Sequence, residues 1–133
     1  MPGTAADSPP PGPTGEGPTV SGDNVPDVSA EAAHGMVEEG ALLLDVREAD
    51  EWEAGHAPDA TWIPMGAIET RADELPRDRR IVAICRSGTR SRVVAAALLG
   101  AGYDAVNVGG GMREWAADDL PLVASDGLPG TVI

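Results

Sequence analysis

The chain has 133 residues and a formal net charge of −13, because 22 Asp and Glu outnumber 9 Lys and Arg. This acidity argues against a nucleic-acid partner, since phosphate binding needs a basic surface that displaces counterions. A single cysteine excludes an internal disulfide framework and a multi-cysteine zinc site, and no apolar run approaches the ~20 residues of a membrane-spanning helix. We therefore expect a single-domain cytoplasmic protein without a membrane partner.

Both ends of the chain are predicted to lie outside the folded domain. Residues 1–26 contain 7 Pro and 5 Gly, and such a segment cannot offset its ordering entropy by burying apolar surface, so a disordered tail is predicted. It also lacks the basic start followed by an apolar stretch that marks a signal peptide. Residues 124–133 contain Gly and Pro and predict a flexible C-terminal tail. The predicted domain is therefore residues 27–123.

Short helices alternate with short apolar strands from residue 27 onward. Ser29 is a predicted N-cap for a first helix that ends at Gly40. Strands are predicted at 41–46, 60–63, 81–84 and 105–108, and further helices at 48–54, 68–75, 91–99 and 112–117. This alternation favours right-handed crossovers and a mostly parallel sheet with helices on both faces, so the predicted fold class is α/β.

Two charged segments lie where predicted strands end. In a parallel sheet reactive groups gather at the edge where strands end, because loop N–H groups point outward there and helix N-termini add positive potential. One segment is residues 44–48, with Asp45 and Arg47, and the other is residues 85–92, which begins at Cys85. The sequence therefore places the candidate site at this edge.

The second segment has the features of a loop that stabilises a thiolate. Cys85 leaves the strand, Gly88 permits a turn with positive φ, and the next helix begins near Ser91, so successive N–H groups can surround the sulfur and favour an anion. The stretch 79–103 also contains five Arg and no Asp or Glu. These charges are expected to lower the pKa of Cys85 from its ordinary ~8.5 and to attract a small anion.

Plainer interpretations of the same residues stay open. Cys85 could be a buried apolar residue, as lone cysteines often are, although a core cysteine needs no glycine-containing, arginine-rich loop. Arg86 and Arg92 could be solvated surface charges. Arg90, at the end of the loop, is the better candidate for contacting a bound anion.

Three segments, in the same order and spacing, resemble the rhodanese family of sulfurtransferases. Residues 42–64 (LLLDVREADEWEAGHAPDATWIP) are similar to the family's D-x-R strand end and G-H-x-P-x-A turn, residues 85–91 (CRSGTRS) to its active-site loop, and residues 109–115 (GGGMREW) to its closing turn and helix. The resemblance covers about residues 27–123. It implies a single domain with a central five-stranded, mostly parallel sheet.

The resemblance also implies a reaction at Cys85. This cysteine would attack the outer sulfur of thiosulfate or a persulfide donor, become a persulfide, and pass that sulfur to cyanide, a thiol or a protein acceptor. Covalent catalysis in two half-reactions predicts ping-pong kinetics and involves no metal or organic cofactor. The backbone N–H groups of the loop would hold the persulfide and the Arg90 side chain would stabilise the anionic donor; the loop residues concerned are Arg86, Ser87, Gly88, Thr89 and Arg90.

The length of the loop separates this interpretation from its nearest alternative. Cys85 and Arg90 have the spacing C-x4-R, whereas the similar phosphatases and arsenate reductases use C-x5-R to hold a larger tetrahedral oxyanion. Sulfur transfer therefore ranks above phosphate-ester hydrolysis. Another class of function also stays open, in which the domain is a non-enzymatic sulfur-relay or regulatory module that binds another protein.

Asp45 and Arg47 are predicted to support the site rather than to react. Asp45 is expected to be a structural acceptor for loop N–H groups or for Arg47, and Arg47 to be an ion-pairing and packing residue. His56, after Gly55, resembles a turn residue whose ring satisfies nearby backbone groups, and the persulfide mechanism needs no histidine base. The sequence departs from the family pattern at Ala57 and Asp59, where a larger aliphatic residue and glycine are common.

Overall fold

The computed structural model describes residues 25–133. The predicted N-terminal tail lies outside the described residues except for its last two, Val25 and Pro26. Val25 is buried, and the carbonyl of Pro26 accepts a hydrogen bond from the N–H of Asn107. These two residues therefore pack with the domain.

An open five-stranded sheet forms the centre of the structure, with strand order β1-β5-β4-β2-β3 and parallel pairing between all neighbours. The predicted α/β class and parallel sheet are confirmed. β1 is the one strand that the residue pattern does not predict, and it pairs with β5 through only two residues. The strands are β1 (Asp27–Val28), β2 (Leu42–Asp45), β3 (Thr61–Trp62), β4 (Ile81–Ile84) and β5 (Ala105–Val108).

Within residues 25–133, four α-helices connect these strands and a fifth follows β5: α1 (Ala30–Glu38), α2 (Ala49–Ala54), α3 (Ile68–Arg71), α4 (Thr89–Gly100) and α5 (Gly111–Ala117). Ser29 caps α1 as predicted, its hydroxyl accepting from the N–H of Ala32 at 3.0 Å. The single helix predicted over residues 68–75 is instead the short α3 between two 3₁₀ turns, Met65–Ala67 and Ala72–Glu74. Leu75 then takes an extended conformation, as expected for a residue before proline.

Alternate residues of the strands enter two apolar layers, one on each face of the sheet. On one face α3 and α4 cover a layer that includes Leu44, Ile81, Ala83 and Leu98. On the other face α1 and α5 cover a layer that includes Leu43, Val82, Ile84 and Trp115. Burial on both faces explains why β4 and the first three residues of β2 are continuously apolar.

The carboxyl ends of β2 and β4 lie side by side. The two strands are neighbours, and Asp45 pairs in register with Ile84. The charged segment after β2 and the cysteine loop after β4 are thereby brought to one edge of the sheet. Within residues 25–133, no helix has both the length and the apolar character needed to cross a bilayer.

The segment after α5 runs alongside the end of α2. Val123 and His56 exchange two backbone hydrogen bonds of 2.8 and 2.9 Å, and the N–H of Thr131 donates to the carbonyl of Ala54 at 2.9 Å. The backbone of Gly55 lies so close to Thr131 that a Cβ there would meet the Thr131 carbonyl oxygen at 2.3 Å. The last residues therefore make backbone contacts with the domain.

Candidate active site

Cys85 lies between the end of β4 and the first turn of α4. Its side chain is buried, with 1% of its surface exposed. Two donors approach the sulfur: the N–H of Gly88 is 3.1 Å from Sγ, and the hydroxyl oxygen of Ser91 is 3.2 Å from it. The loop thus surrounds the sulfur with groups that hydrogen-bond a thiolate.

The turn at Gly88 requires glycine for two reasons. Its φ is +96°, in the left-handed region, and it forms the N-cap of α4. A Cβ at this position would also meet the carbonyl oxygen of Gly109 at 2.2 Å, a distance that a side chain cannot occupy. Gly88 therefore allows the chain to turn beside the sulfur, and it packs against the turn before α5.

Backbone N–H groups at the start of α5 hydrogen-bond the carbonyl groups of the cysteine loop. The N–H of Met112 donates to the carbonyl of Cys85 at 2.7 Å, and the N–H of Arg113 donates to the carbonyl of Arg86 at 3.0 Å. Gly111, at φ +61°, permits this approach, since a Cβ there would lie 2.5 Å from the Arg86 carbonyl oxygen. Residues 109–115, the GGGMREW segment, therefore hydrogen-bond the carbonyl groups of the loop.

A buried polar network extends from the sulfur to β5. The Ser91 hydroxyl oxygen lies 2.6 Å from Oδ1 of Asn107 as well as near Cys85 Sγ. Asn107 is oriented by its Nδ2 group, which donates to Oδ1 of Asp27 at 2.9 Å and to the carbonyl of Gly88 at 3.1 Å. A hydroxyl has one proton to donate, so Ser91 bonds either the amide oxygen or the thiolate at any moment.

Opposing effects act on the ionisation of Cys85. Burial raises the pKa of the thiol, because the charged form loses its hydration. Hydrogen bonds from the Ser91 hydroxyl and from the N–H groups of Ser91, Ser87 and Gly88 lower it, and together they bring the pKa below its ordinary value. The structure therefore supports the thiolate chiefly with hydrogen bonds.

Replacement of Ser91 by alanine should raise the pKa of Cys85. One hydrogen bond to a charged group contributes about 1.5–3 kcal/mol, so the thiolate population at neutral pH should fall by about tenfold or more. The pH dependence of iodoacetamide alkylation measures this shift: the variant should react more slowly at neutral pH and equally fast at high pH. Ser125→Ala, at an exposed position, is the matched control. An unchanged titration in the Ser91 variant would contradict the assignment.

The arginines near Cys85 do not form an unmatched positive cluster. The loop side chains Arg86, Ser87 and Thr89 are exposed, and that of Arg90 is half-buried. All five arginines of residues 79–103 have acceptors from other parts of the chain: Arg80 pairs with Asp104, Arg90 with Glu51 and Arg92 with Asp27, while Arg79 and Arg86 donate to the carbonyls of Gly40 and Ile133.

Asp45 and Arg47 form a fully buried ion pair beside the loop. Nη2 of Arg47 lies 2.7 Å from Oδ2 of Asp45 and 2.7 Å from the carbonyl oxygen of Gly55, and Nε lies 2.9 Å from Oδ1. The backbone N–H at position 47 also donates to Oδ1 at 3.1 Å. The two side chains therefore join the end of β2 to the turn after α2.

Three residues at the site are not singled out from the sequence. Asn107 could have been found, because it is the one polar residue in the strand AVNV and a buried polar group needs partners. Ser91 carries a weaker signal, its place in the first turn of the helix after the cysteine. Glu51 shows none, since its contact with Arg90 joins distant segments. Within residues 25–133, no three His, Cys, Asp or Glu side chains are grouped to hold a metal ion.

Comparison with known proteins identifies relatives over most of the described chain. The family model for the rhodanese-like domain matches residues 29–118. A protein of Allochromatium vinosum named sulfurtransferase is 44% identical over 90 residues, which cover 67% of this chain and 84% of the relative. The thiosulfate sulfurtransferase GlpE of Pseudomonas savastanoi is 33% identical over 91 residues, covering 68% of this chain and 86% of the relative.

A solved structure has the same architecture. The rhodanese-related protein of Thermoplasma volcanium superposes with a TM-score of 0.70 at 28% identity, and the match covers 74% of this chain and 97% of that one. The region matched by the family model includes the segment after β2, the cysteine loop and the turn before α5. All three segments that build the candidate site therefore lie within the matched region.

Proposed function

This chain belongs to the rhodanese-like domain family, and on that premise we propose that it is a sulfurtransferase that carries a sulfane sulfur on Cys85. The observation that carries the proposal is the pair of donors on Cys85 Sγ, the Gly88 N–H at 3.1 Å and the Ser91 hydroxyl at 3.2 Å. Such donors favour the thiolate, which is the nucleophile. The relatives named sulfurtransferases support the same reaction class.

In the loading step the Cys85 thiolate attacks the outer sulfur of a donor. A bond forms between Sγ and that sulfur, and the donor's own sulfur–sulfur bond breaks. The electron pair of the broken bond leaves with sulfite if the donor is thiosulfate, or with a thiolate if the donor is a thiol hydropersulfide. One sulfur–sulfur bond replaces another, so no external oxidant or reductant is needed.

In the transfer step an acceptor attacks the outer sulfur of the Cys85 persulfide. Cyanide leaves as thiocyanate and a thiolate leaves as a new hydropersulfide, while the electron pair of the breaking bond returns to Sγ. The thiolate is thereby regenerated for the next donor. Neither step requires a metal or an organic cofactor.

The loop between β4 and α4 is assigned to holding the donor and the persulfide. The N–H of Gly88 already donates to Sγ, and the N-terminus of α4 adds positive potential at the same point. The side chains of Arg86, Ser87 and Thr89 are exposed on this loop, where a donor approaches. The Asp45 and Arg47 pair supports the neighbouring end of β2.

Steady-state kinetics with thiosulfate and cyanide test the proposal. Thiocyanate should form with a ping-pong pattern, in which double-reciprocal plots at several cyanide concentrations are parallel. Intersecting lines would indicate direct transfer between bound substrates and would contradict a covalent intermediate. Phosphate release from an aryl phosphate that depends on Cys85 would favour the phosphatase alternative instead.

A further inference from the structure

The side chain of Arg90, which closes the cysteine loop, is held by a carboxylate from another helix. Its Nη1 and Nη2 groups donate to Oε1 and Oε2 of Glu51 on α2, at 2.8 and 2.9 Å. Glu51 is 13% exposed and Arg90 33% exposed, so the pair is partly shielded from solvent. A planar, two-point contact of this kind is the strongest form of Arg–carboxylate pairing.

The ion pair is intact throughout the pH range in which thiols react. The hydrogen bonds from Arg90 lower the pKa of Glu51 to about 2, although burial acts in the opposite direction. The same contact raises the pKa of Arg90 further above its already high value. Oε1 of Glu51 also accepts from the N–H of Glu48 at 3.0 Å, which anchors the carboxylate to the start of α2.

The pairing lowers the positive potential available to an incoming donor. What remains near Cys85 comes from backbone N–H groups, from the N-terminus of α4, which is equivalent to about half an elementary charge, and from Arg86, an exposed loop side chain that donates to the uncharged carbonyl of Ile133. Solvent screens the charge of an exposed side chain, so this potential compensates the thiolate in part and leaves the two further charges of a dianion largely uncompensated. The Glu48 carboxylate adds negative potential, because it is near enough to act electrostatically on Arg90.

We infer that Glu51 is a specificity-determining residue, which by neutralising Arg90 directs the site toward thiol hydropersulfides and away from the thiosulfate dianion. The inference rests on the proposed loading of Cys85. Thiosulfate carries two negative charges at neutral pH, whereas the reacting end of a hydropersulfide, R–S–SH, carries at most one. Repulsion therefore slows the first donor more than the second.

The favoured loading reaction is balanced without a further reactant. The Cys85 thiolate attacks the outer sulfur of R–S–SH, a bond from Sγ to that sulfur forms, and the bond to R–S breaks. The electron pair leaves with R–S⁻, and the proton stays on the transferred sulfur. One negative charge enters the step and one leaves it, so the site is never required to hold a dianion.

The test compares the rates at which two donors load sulfur onto Cys85, followed by rapid quenching and intact-protein mass measurement. The donors are thiosulfate and the hydropersulfide of 2-mercaptoethanol. In Glu51→Gln, the glutamine retains an acceptor for Glu48 and for Arg90 but not the charge. We expect the second-order rate constant for thiosulfate to rise about tenfold and that for the hydropersulfide to change by less than about twofold.

Glu53→Gln is the matched control. Glu53 lies on the same helix, is exposed, and loses the same charge on substitution. Its thiosulfate rate should stay within about twofold of the native rate. The inference is overturned if Glu53→Gln reproduces the gain, if Glu51→Gln leaves the ratio of the two rates unchanged, or if it slows thiosulfate selectively, which would show that Glu51 orients Arg90 to bind this donor.

Ionic strength provides a readout on the native protein that does not depend on a variant's folding. Salt screens repulsion, so thiosulfate should load faster at physiological than at low ionic strength, and the hydropersulfide rate should change less. A thiosulfate rate that falls or stays constant with added salt would contradict the inference. Failure of the proposed function is distinguishable, since neither donor would then add sulfur to Cys85.

Discussion

Protein carrying Cys85→Ser is expected to form thiocyanate from thiosulfate and cyanide at less than about a thousandth of the native rate. A serine hydroxyl is not ionised near neutral pH and cannot hold the transferred sulfur as a persulfide. The chain has one cysteine, so no other thiol can take over the reaction. Thiocyanate formation at saturating donor and acceptor measures the loss.

The substitution should leave the fold intact, which makes the result specific to the sulfur. Serine is slightly smaller than cysteine, and its hydroxyl oxygen can accept from the same Gly88 N–H and Ser91 hydroxyl that lie near Sγ. We therefore expect an unchanged circular dichroism spectrum and a Tm close to that of the native protein. A Cys85→Ser protein that keeps more than about a tenth of the activity would contradict nucleophilic catalysis by this residue.

Replacement of Arg47 by methionine is expected to lower the free energy of unfolding by about 3–5 kcal/mol, a large part of the ~5–15 kcal/mol typical of a domain. Arg47 and Asp45 are both fully buried, so the variant leaves the Asp45 carboxylate without its counter-charge. The carbonyl of Gly55 also loses the donor that lies 2.7 Å away. Urea denaturation followed by tryptophan fluorescence measures the change.

The double variant Asp45→Asn, Arg47→Met separates charge from packing. Asparagine keeps an acceptor for the backbone N–H at position 47 but carries no charge, so the double variant should recover about 2 kcal/mol relative to Arg47→Met alone. In the native pair, Nη1 of Arg47 has no hydrogen-bond partner within residues 25–133. Hydrogen bonds therefore compensate the cost of burying this guanidinium only in part. A double variant no more stable than the single one would contradict the buried-charge explanation.

Local sequence patterns account for much of the sheet but not for its edge. β4 is predictable because a strand buried on both faces is an uninterrupted apolar run, and β5 because its residues are apolar apart from Asn107. β1 is not, since two residues, Asp27–Val28, show no periodicity and the strand is defined by its pairing with β5. The start of α4 at Thr89 is two residues earlier than predicted, because Gly88 acts as the cap.

The same distinction applies to the site. Cys85, Gly88 and the loop between them are contiguous, so their chemistry can be inferred from neighbouring residues. The net charge at the site cannot be inferred in this way, because the carboxylates that pair with the local arginines come from far along the chain. Glu51 is 39 residues from Arg90, and Asp27 is 65 residues from Arg92. Three of the five arginines in this basic stretch are thereby ion-paired, while Arg79 and Arg86 donate to uncharged carbonyls.

The mass of the intact protein after brief exposure to a sulfane-sulfur donor tests the central claim most directly. We predict a gain of one sulfur atom, located on Cys85 by peptide mapping and removed again by cyanide with release of thiocyanate. Cys85→Ser should gain none. Native protein whose mass stays unchanged with thiosulfate and with a thiol hydropersulfide, while Cys85 remains open to alkylation, would contradict a persulfide mechanism.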